Sequence, residues 1–341
     1  MNQRHVLVTG AGMVGTYTAR ELLESGWRVT LVDRRMPEAY VRDVLGDAPV
    51  DDGRVRLVEL DLTDSGARSA ALHGLHVDAV VHTAALIAAR AQQDVQETID
   101  VNVSVPLWLA GWAKDAGAGR FVPISSWSVF SEEQPAPITD DSPLMTHFTS
   151  YYIASKLAME HLVSAYAASS GLEVVAIRPT VVYGYGPNLG GSVGSAALEA
   201  QVLRALRGED LELPANIISQ TELVYVGDVA RAVASAVTAP LDGLFTWYTI
   251  GSQQTTTTEE LAETLRALFP DVAVEVGTGA EFSVNPPRQD AATDLRRTLR
   301  DLGIPEPLRR DEGFAAFAHD LRRARALSDP MGSPRTTGAR R

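Results

Sequence analysis

The stretch SYYIASK, Ser150 to Lys156, sets Tyr152 four residues ahead of Lys156, so one turn of helix brings a phenol beside an ammonium group. A nearby cation favours phenolate over phenol and lowers the tyrosine pKa toward working pH, which general acid/base chemistry requires. On a helix from Tyr152 to Tyr166 at 100° per residue, Ala154, Leu157, Ala158, His161, Leu162 and Ala165 gather on one side as the expected core stripe. Tyr152 and Lys156 fall opposite, with Met159 and Val163. Two partly apolar faces predict burial on both, with the pair in a cleft; packing against a second copy of the chain would cover Met159 and Val163 equally well. Tyr151 has Ser155 four residues on, so it is expected to pack at the cleft edge. The alternative reading of the pair is an ordinary structural helix face. FVPISSWSVF supplies a hydroxyl partner, Ser125 or Ser126, at the end of an apolar run.

A second chemical element lies near the N-terminus. VLVTGAGMVG places Gly10, Gly12 and Gly15, with Met13 and Val14 between the last two, after a short apolar run and before a helical pattern. That order lets backbone N–H groups approach a pyrophosphate at the positive end of a helix. Asp33 closes the next run, VTLVD, where a carboxylate can accept hydrogen bonds from both ribose hydroxyls of an adenosine. This favours NAD over NADP, whose additional phosphate would meet a negative charge. Arg34 and Arg35 follow at once and would soften the preference.

The elements that must position these residues alternate. Short β-branched runs at Val6–Val8, Val29–Val32, Val55–Val58, Ala79–His82, Phe121–Ile124 and Val174–Ile177 are separated by amphipathic stretches such as Thr16–Ser25 and Val103–Ala116. This rhythm predicts an α/β fold, a doubly wound parallel sheet wrapped by crossover helices, with ligands at the strand C-termini. Residues 1–182 form the expected nucleotide-binding domain, with later strands from about 221–250 returning to it. Residues 183–327 form a smaller substrate-binding region, with helices near Ser195–Leu206, Thr258–Phe269 and Leu295–Leu302 and a return strand at Leu223–Val226. Residues 328–341 lack apolar periodicity and read as a flexible tail.

Composition excludes other classes. With 45% hydrophobic and 21% charged residues, the 341-residue chain reads as a globular protein able to bury a sizeable core. A formal charge of -13 opposes attraction to nucleic acid or anionic lipid, and the basic stretch Arg322–Arg325 reads as a solvated helix face. The absence of cysteine suits a reducing cytoplasm, and seven histidines without a nearby ligand cluster argue against a metal site. No signal sequence and no membrane span are expected.

With these residues in order, the chain resembles an extended short-chain dehydrogenase/reductase, the Rossmann-type NAD-dependent epimerase/dehydratase family. Further signposts between Val6 and Pro307 fit. DLTD at Asp61–Asp64 resembles the adenine-side segment, marking Asp61 and Leu62. HTAA at His82–Ala85 resembles the fourth-strand segment beside the cofactor, marking Thr83, Ala84 and Ala85. Asn102 matches the family's helix asparagine, a water-relay or helix-distorting residue. RPTVVYGYGP resembles the segment passing the nicotinamide, marking Pro179 and Val182; LVYVGDVARAV at Leu223–Val233 resembles a later strand and helix. SSWSVF stands where the family has Ser-Ser-x-x-Val-Tyr, whose second serine is catalytic, which selects Ser126. The resemblance implies that Tyr152 exchanges a proton with the substrate oxygen, that Ser126 hydrogen-bonds that oxygen, and that Lys156 holds the nicotinamide ribose and biases Tyr152 toward phenolate. It also implies a homodimer built through a four-helix bundle of the Val103–Ala116 and Tyr/Lys helices.

The departures narrow the function. The first glycine gap is two residues where the extended family usually has three. Sugar-nucleotide dehydratases carry an acidic pair after the catalytic hydroxyl, where this chain has Trp127 and Ser128. Of two diphosphate-clasping arginines, one position holds Thr221 and the other matches Arg288, which could instead meet a carboxylate, one phosphate or an internal Asp. Trp127 and His147 are expected at the substrate-pocket edge, with packing as the alternative for Trp127. The favoured expectation is a dehydrogenase or ketoreductase of a polyhydroxylated small molecule, with NAD as cofactor. The alternatives are an epimerase of a sugar or sugar nucleotide with tightly held NAD, and a non-catalytic NAD-sensing scaffold.

Overall fold

The computed structural model describes residues 3–131, 136–187, 193–215, 217, 220–278 and 292–328. Arg288 and nearly all of the C-terminal tail lie outside them. Among the described residues no helix is long and apolar enough to cross a membrane.

Seven short, almost wholly apolar runs pair in parallel. They are β1 (His5–Thr9), β2 (Arg28–Asp33), β3 (Val55–Glu59), β4 (Ala79–His82), β5 (Arg120–Pro123), β6 (Glu173–Pro179) and, after an interval carrying three further strands, β10 (Phe245–Ile250). The spatial order β10-β6-β5-β4-β1-β2-β3 reverses direction between β1 and β4, and a crevice opens there at the C-terminal strand ends. Val6, Leu7, Val8, Val80, Val81, Phe121 and Val122 are all at 0% exposure, as expected when helices cover both faces of a parallel sheet.

Of the 221–250 stretch expected to return to this sheet, only β10 pairs in it. β9 (Thr221–Tyr225) lies between β7 (Val181–Tyr183) and β11 (Thr255–Thr256) in a separate three-stranded sheet, and β8 (Leu211–Pro214) pairs with β12 (Val274–Gly277). The cause is the chain just after β6: β7 leaves the main sheet at once and provides a parallel edge for β9.

The C-terminal helix Arg310–Ser328 crosses back over the first domain. Asp320 accepts hydrogen bonds from Tyr17 at 2.6 Å and from Tyr225, and Arg323 donates to the carbonyls of Asp43 and Val44. The basic stretch is therefore partly engaged: Arg322 and Arg323 are exposed, but the Arg323 guanidinium pins the helix to its neighbour.

The Tyr/Lys helix runs from Tyr151 to Ser170 and corrects the expected core stripe. Lys156, Met159, Glu160, Val163 and Ala167 are buried; of the expected stripe Leu157 is buried too and Ala154 and Ala158 are half-buried, whereas His161 and Ala165 are exposed and Leu162 is 42% exposed. Both faces carry apolar side chains, so periodicity could not tell which one the sheet takes; the sheet takes the lysine side.

Candidate active site

The glycine loop follows β1. Gly10 has φ +93°, and a methyl group on it would lie 2.6 Å from the Ala84 amide nitrogen, so only glycine fits. A methyl on Gly15 would meet the Gly10 carbonyl oxygen at 1.8 Å, which sets the closeness of helix to turn. Around Gly12 nothing lies within 4 Å of such a methyl. Gly12 is the N-cap of helix Met13–Glu24, which has no side-chain cap and no acid in its first turn. An open, positive helix end flanked by half-exposed Met13 and Val14 suits an anionic diphosphate.

Asp33, at the end of β2, accepts from the Ala11 N–H at 2.8 Å and the Arg35 N–H at 3.0 Å. Arg34 is ion-paired with Glu97 at 3.1 Å. Desolvation would raise the Asp61 carboxyl, but the Thr63 hydroxyl and N–H together with the Arg34 charge hold it below the ordinary carboxylate range. Leu62 is buried beside it. The Thr83 hydroxyl donates to the carbonyls of Thr9 and Gly10, and the Ala84 N–H donates to the Thr9 carbonyl; Ala85 continues the segment, half-buried. Pro179 is buried at the end of β6 and Val182 half-buried in β7. These residues all lie near the C-terminal edge of the sheet around the switch point.

Ser126 follows β5 in extended conformation and caps the 3₁₀ turn Trp127–Val129. Its Oγ accepts from the Ser128 N–H at 3.2 Å and lies 2.5 Å from the Ser128 Oγ. Lys156 Nζ lies 5.8 Å from the Tyr152 ring centroid while donating to the Ile124 carbonyl at 2.8 Å, and the Ser126 hydroxyl is near enough to Tyr152 to act on its phenol. The structure thus brings Ser126, Tyr152 and Lys156 together. Burial raises the Tyr152 phenol above its usual value, opposed by the Ser126 hydroxyl. Burial lowers Lys156 to about 8, opposed by the Glu160 charge. Burial is the first cause of both shifts, and the Lys156 charge is not among the causes acting on Tyr152. Beneath them His82, driven down to about 3 by burial and then by the Lys156 charge, is neutral and shares a 2.7 Å hydrogen bond with Thr9.

Asn102 sits in a π-turn, Asp100–Ser104, within the helical run from Val95 to Asp115. Its Oδ1 accepts from the Leu86 N–H at 2.8 Å, and its Nδ2 donates to the Leu86 carbonyl and the Ser155 hydroxyl at 2.9 Å each. Ser155 in turn donates to the Tyr152 carbonyl. With both ends of the amide engaged, Asn102 positions the Tyr/Lys helix.

The proposed substrate residues are dispersed. Trp127 packs with Phe130 and Ile138 and is 9% exposed, so its ring is mainly core. His147 is exposed and, among the described residues, hydrogen-bonds its neighbour Thr146. Tyr151 is 51% exposed. Sequence reading missed Glu160, which forms a buried two-point pair with Arg178 at 2.9 and 2.6 Å. The signal was present: Tyr152, Lys156 and Glu160 follow one another at four-residue intervals along one helix face.

An NAD dependent epimerase/dehydratase family model matches residues 6–251, and the chain belongs to that family. Among curated proteins it is 28% identical over 287 residues to dihydroflavonol 4-reductase of Hordeum vulgare, covering 79% of this chain and 76% of the relative. It is 29% identical over 238 residues to dTDP-4-dehydro-6-deoxy-D-allose reductase of Streptomyces bikiniensis, covering 67% and 71%. Among solved structures it resembles MoeE5 in complex with UDP-glucuronic acid and NAD, with 28% identity, a TM-score of 0.72 and coverage of 94% and 99%. The family contains reductases, epimerases and dehydratases alike.

Proposed function

We propose that this chain is an NAD-dependent dehydrogenase or ketoreductase acting on a secondary alcohol or ketone of a polyhydroxylated, sugar-like small molecule. The observation that carries the reading is Lys156 lying 5.8 Å from the Tyr152 ring centroid with Ser126 beside them, at the sheet edge that also carries the glycine loop. NAD, when bound, would supply the nicotinamide carbon that takes or returns a hydride. Tyr152 moves the proton at the substrate oxygen, Ser126 holds that oxygen, and Lys156 sits close enough to stabilise the phenolate once a ligand adds polarity to the pocket. Gly10, Gly12 and Gly15 receive the diphosphate and Asp33 the adenosine ribose, which favours NAD over NADP because Arg34 is already held by Glu97.

The working organisation is a nucleotide-binding domain over residues 1–182 and a substrate region over 183–327, in a cytoplasmic homodimer. Leu162 at 42% exposure gives the Tyr/Lys helix an exposed apolar residue, and Val95 and Ile99, at 41% and 42%, do the same for the segment Val95–Ile99 that leads into the expected bundle helix Val103–Ala116.

A second reading, an epimerase that recycles NAD, is favoured by the likeness to MoeE5, which was solved with NAD and UDP-sugars. Against it stands half-buried Thr221 where the sugar-nucleotide pattern has an arginine. Dehydration is disfavoured because Trp127 and Ser128 bring no carboxylate next to Ser126.

The test is to denature the purified protein, identify released nucleotide by mass spectrometry, and follow nicotinamide absorbance with a polyol and sugar panel. An empty protein that binds NAD and reduces it with a panel member is the expected result. Stoichiometric NAD surviving gel filtration would favour the epimerase, and no nucleotide binding at all would overturn both.

A further inference from the structure

The ends of β2 and β3 lie level beside the glycine loop. Asp33 pairs in register with Glu59, and the Leu60 N–H donates to the Asp33 carbonyl at 2.8 Å, which brings Asp61 one residue beyond. Glu59 accepts from the Met36 N–H at 3.1 Å. Arg34 and Arg35 carry positive charge to this edge, against the carboxylates of Asp33, Glu59, Asp61 and Glu97. Arg35 is exposed, where water and salt screen its charge. Arg34 is half-buried, and its Nη1 donates to Glu97 Oε1 at 3.1 Å, across 63 positions of sequence. Glu97 reaches it from a fixed backbone. It lies in the short helix Val95–Ile99, where the Asp94 carboxylate accepts its N–H at 3.0 Å. The next residue, Thr98, is buried and donates its hydroxyl to the carbonyls of Ala91 and Asp94.

With side chains 35% and 42% exposed, the Arg34–Glu97 pair is of the solvent-screened kind that adds little to stability. What it decides is where the Arg34 charge is directed. A free guanidinium next to the acid that meets the ribose is the group able to take a 2′-phosphate, because its planar fork matches phosphate oxygens. We propose that Glu97 is a specificity-determining residue: by occupying Arg34 it leaves no free guanidinium for a phosphate at the adenosine 2′ position, and so excludes NADP together with Asp33. The proposal rests on the nucleotide-site reading above and deepens it. Asp33 discriminates directly, by accepting ribose hydroxyls and repelling a phosphate. Glu97 discriminates one step removed, by neutralising the cation that would reward the phosphate. Because the two acids act separately, replacing Glu97 leaves Asp33 in place, still held by the Ala11 and Arg35 N–H groups.

Isothermal titration calorimetry of the nucleotide-free chain tests this without turnover. The probes are NAD, NADP, 5′-AMP and adenosine 2′,5′-bisphosphate, the last two differing only by the 2′-phosphate. The wild-type chain should prefer NAD and 5′-AMP. Glu97→Gln should tighten NADP and the bisphosphate about 3- to 10-fold, the scale of one released charge near the surface, and leave NAD and 5′-AMP within about twofold. The gain should fade as salt rises toward about 0.5 M. In Arg34→Met/Glu97→Gln it should vanish, since the effect runs through Arg34. A gain that survives in the double variant would mean that Glu97 repels the phosphate by itself, and would overturn the proposal, as would a wild-type chain that prefers NADP. The two levels separate cleanly. A wild-type chain that binds neither NAD nor 5′-AMP refutes the nucleotide-site reading; one that binds NAD while Glu97→Gln moves neither 2′-phosphate probe refutes only the role of Glu97.

Discussion

Lys156→Met should make the nucleotide-free protein more stable near neutral pH while abolishing turnover. Lys156 is 4% exposed, and burial lowers its pKa from 10.5 to about 8. Because the folded pKa lies below the unfolded one, the unfolded chain binds more protons between those values. The charged lysine therefore destabilises the fold fully below about pH 8, and the penalty fades as pH rises toward 10.5. Near pH 7 the shift corresponds to about 3 kcal/mol. Methionine keeps the unbranched stem and removes the charge, but it leaves the Ile124 carbonyl without its 2.8 Å donor, a cost of about 1–3 kcal/mol. The net gain near pH 7 is then about 1 kcal/mol, and near pH 10 the order reverses, because only about 1 kcal/mol of lysine penalty remains to be relieved. Urea unfolding of both chains across this range, with matched m-values, measures the difference. The decisive quantity is its change with pH, about 2.5 kcal/mol between the two ends. A difference that stays constant would show that Lys156 is not carrying a desolvation penalty, and the burial account of its pKa would fall.

Two further outcomes follow from the surroundings of that helix. Asn102→Ala strips the Leu86 N–H and carbonyl and the Ser155 hydroxyl of their partner, and should cost about 2–4 kcal/mol in urea unfolding, with loss of kcat exceeding any change in KM; a cost under about 0.5 kcal/mol would mean the π-turn is held by something else. Leu162→Glu and Ile99→Glu, both at exposed apolar positions, should shift the protein from dimer to monomer in light scattering, each changing single-chain stability by no more than about 0.5 kcal/mol; a wild-type chain already monomeric at micromolar concentration would refute the bundle.

What was legible in the sequence was what local chemistry determines. The glycine loop could be read because Gly10 needs a positive φ and Gly15 a missing side chain, requirements that only one residue type meets. The doubly wound parallel sheet could be read because strands buried on both faces show as short, near-continuous apolar runs between helical stretches. The π-turn around Asn102 was not legible, because nothing in DVNVS distinguishes it from ordinary helix until Leu86 and Ser155 come up against the amide. The orientation of the Tyr/Lys helix was misread for a related reason: alanines and leucines on the outer face imitate a core stripe, and only the sheet decides between them. Thr221–Tyr225 reads as a strand either way, but its choice of β7 over the main sheet depends on where Val181–Tyr183 turns away.

The Glu160–Arg178 pair explains why the Tyr/Lys helix takes the lysine side. Arg178 is 1% exposed and Glu160 3%, so each would be severely penalised alone, and removing either partner leaves a buried charge. Their two-point geometry fixes both the rotation and the height of the helix against β6, since a fork meeting a carboxylate tolerates little sliding. One Arg178 nitrogen has no hydrogen-bond partner, and its guanidinium carbon lies 4.9 Å from the ring centroids of both Phe130 and Trp247, so the arginine is steadied by aromatic faces as well as by the acid. One turn above Glu160 stands Lys156, and one turn above that Tyr152. A pair whose net stabilisation is small can thus be worth keeping for register: it ties the helix carrying Tyr152 to the strand β6 that ends at Pro179. The same carboxylate opposes the desolvation of Lys156, so the group that sets the position of the lysine also sustains its charge.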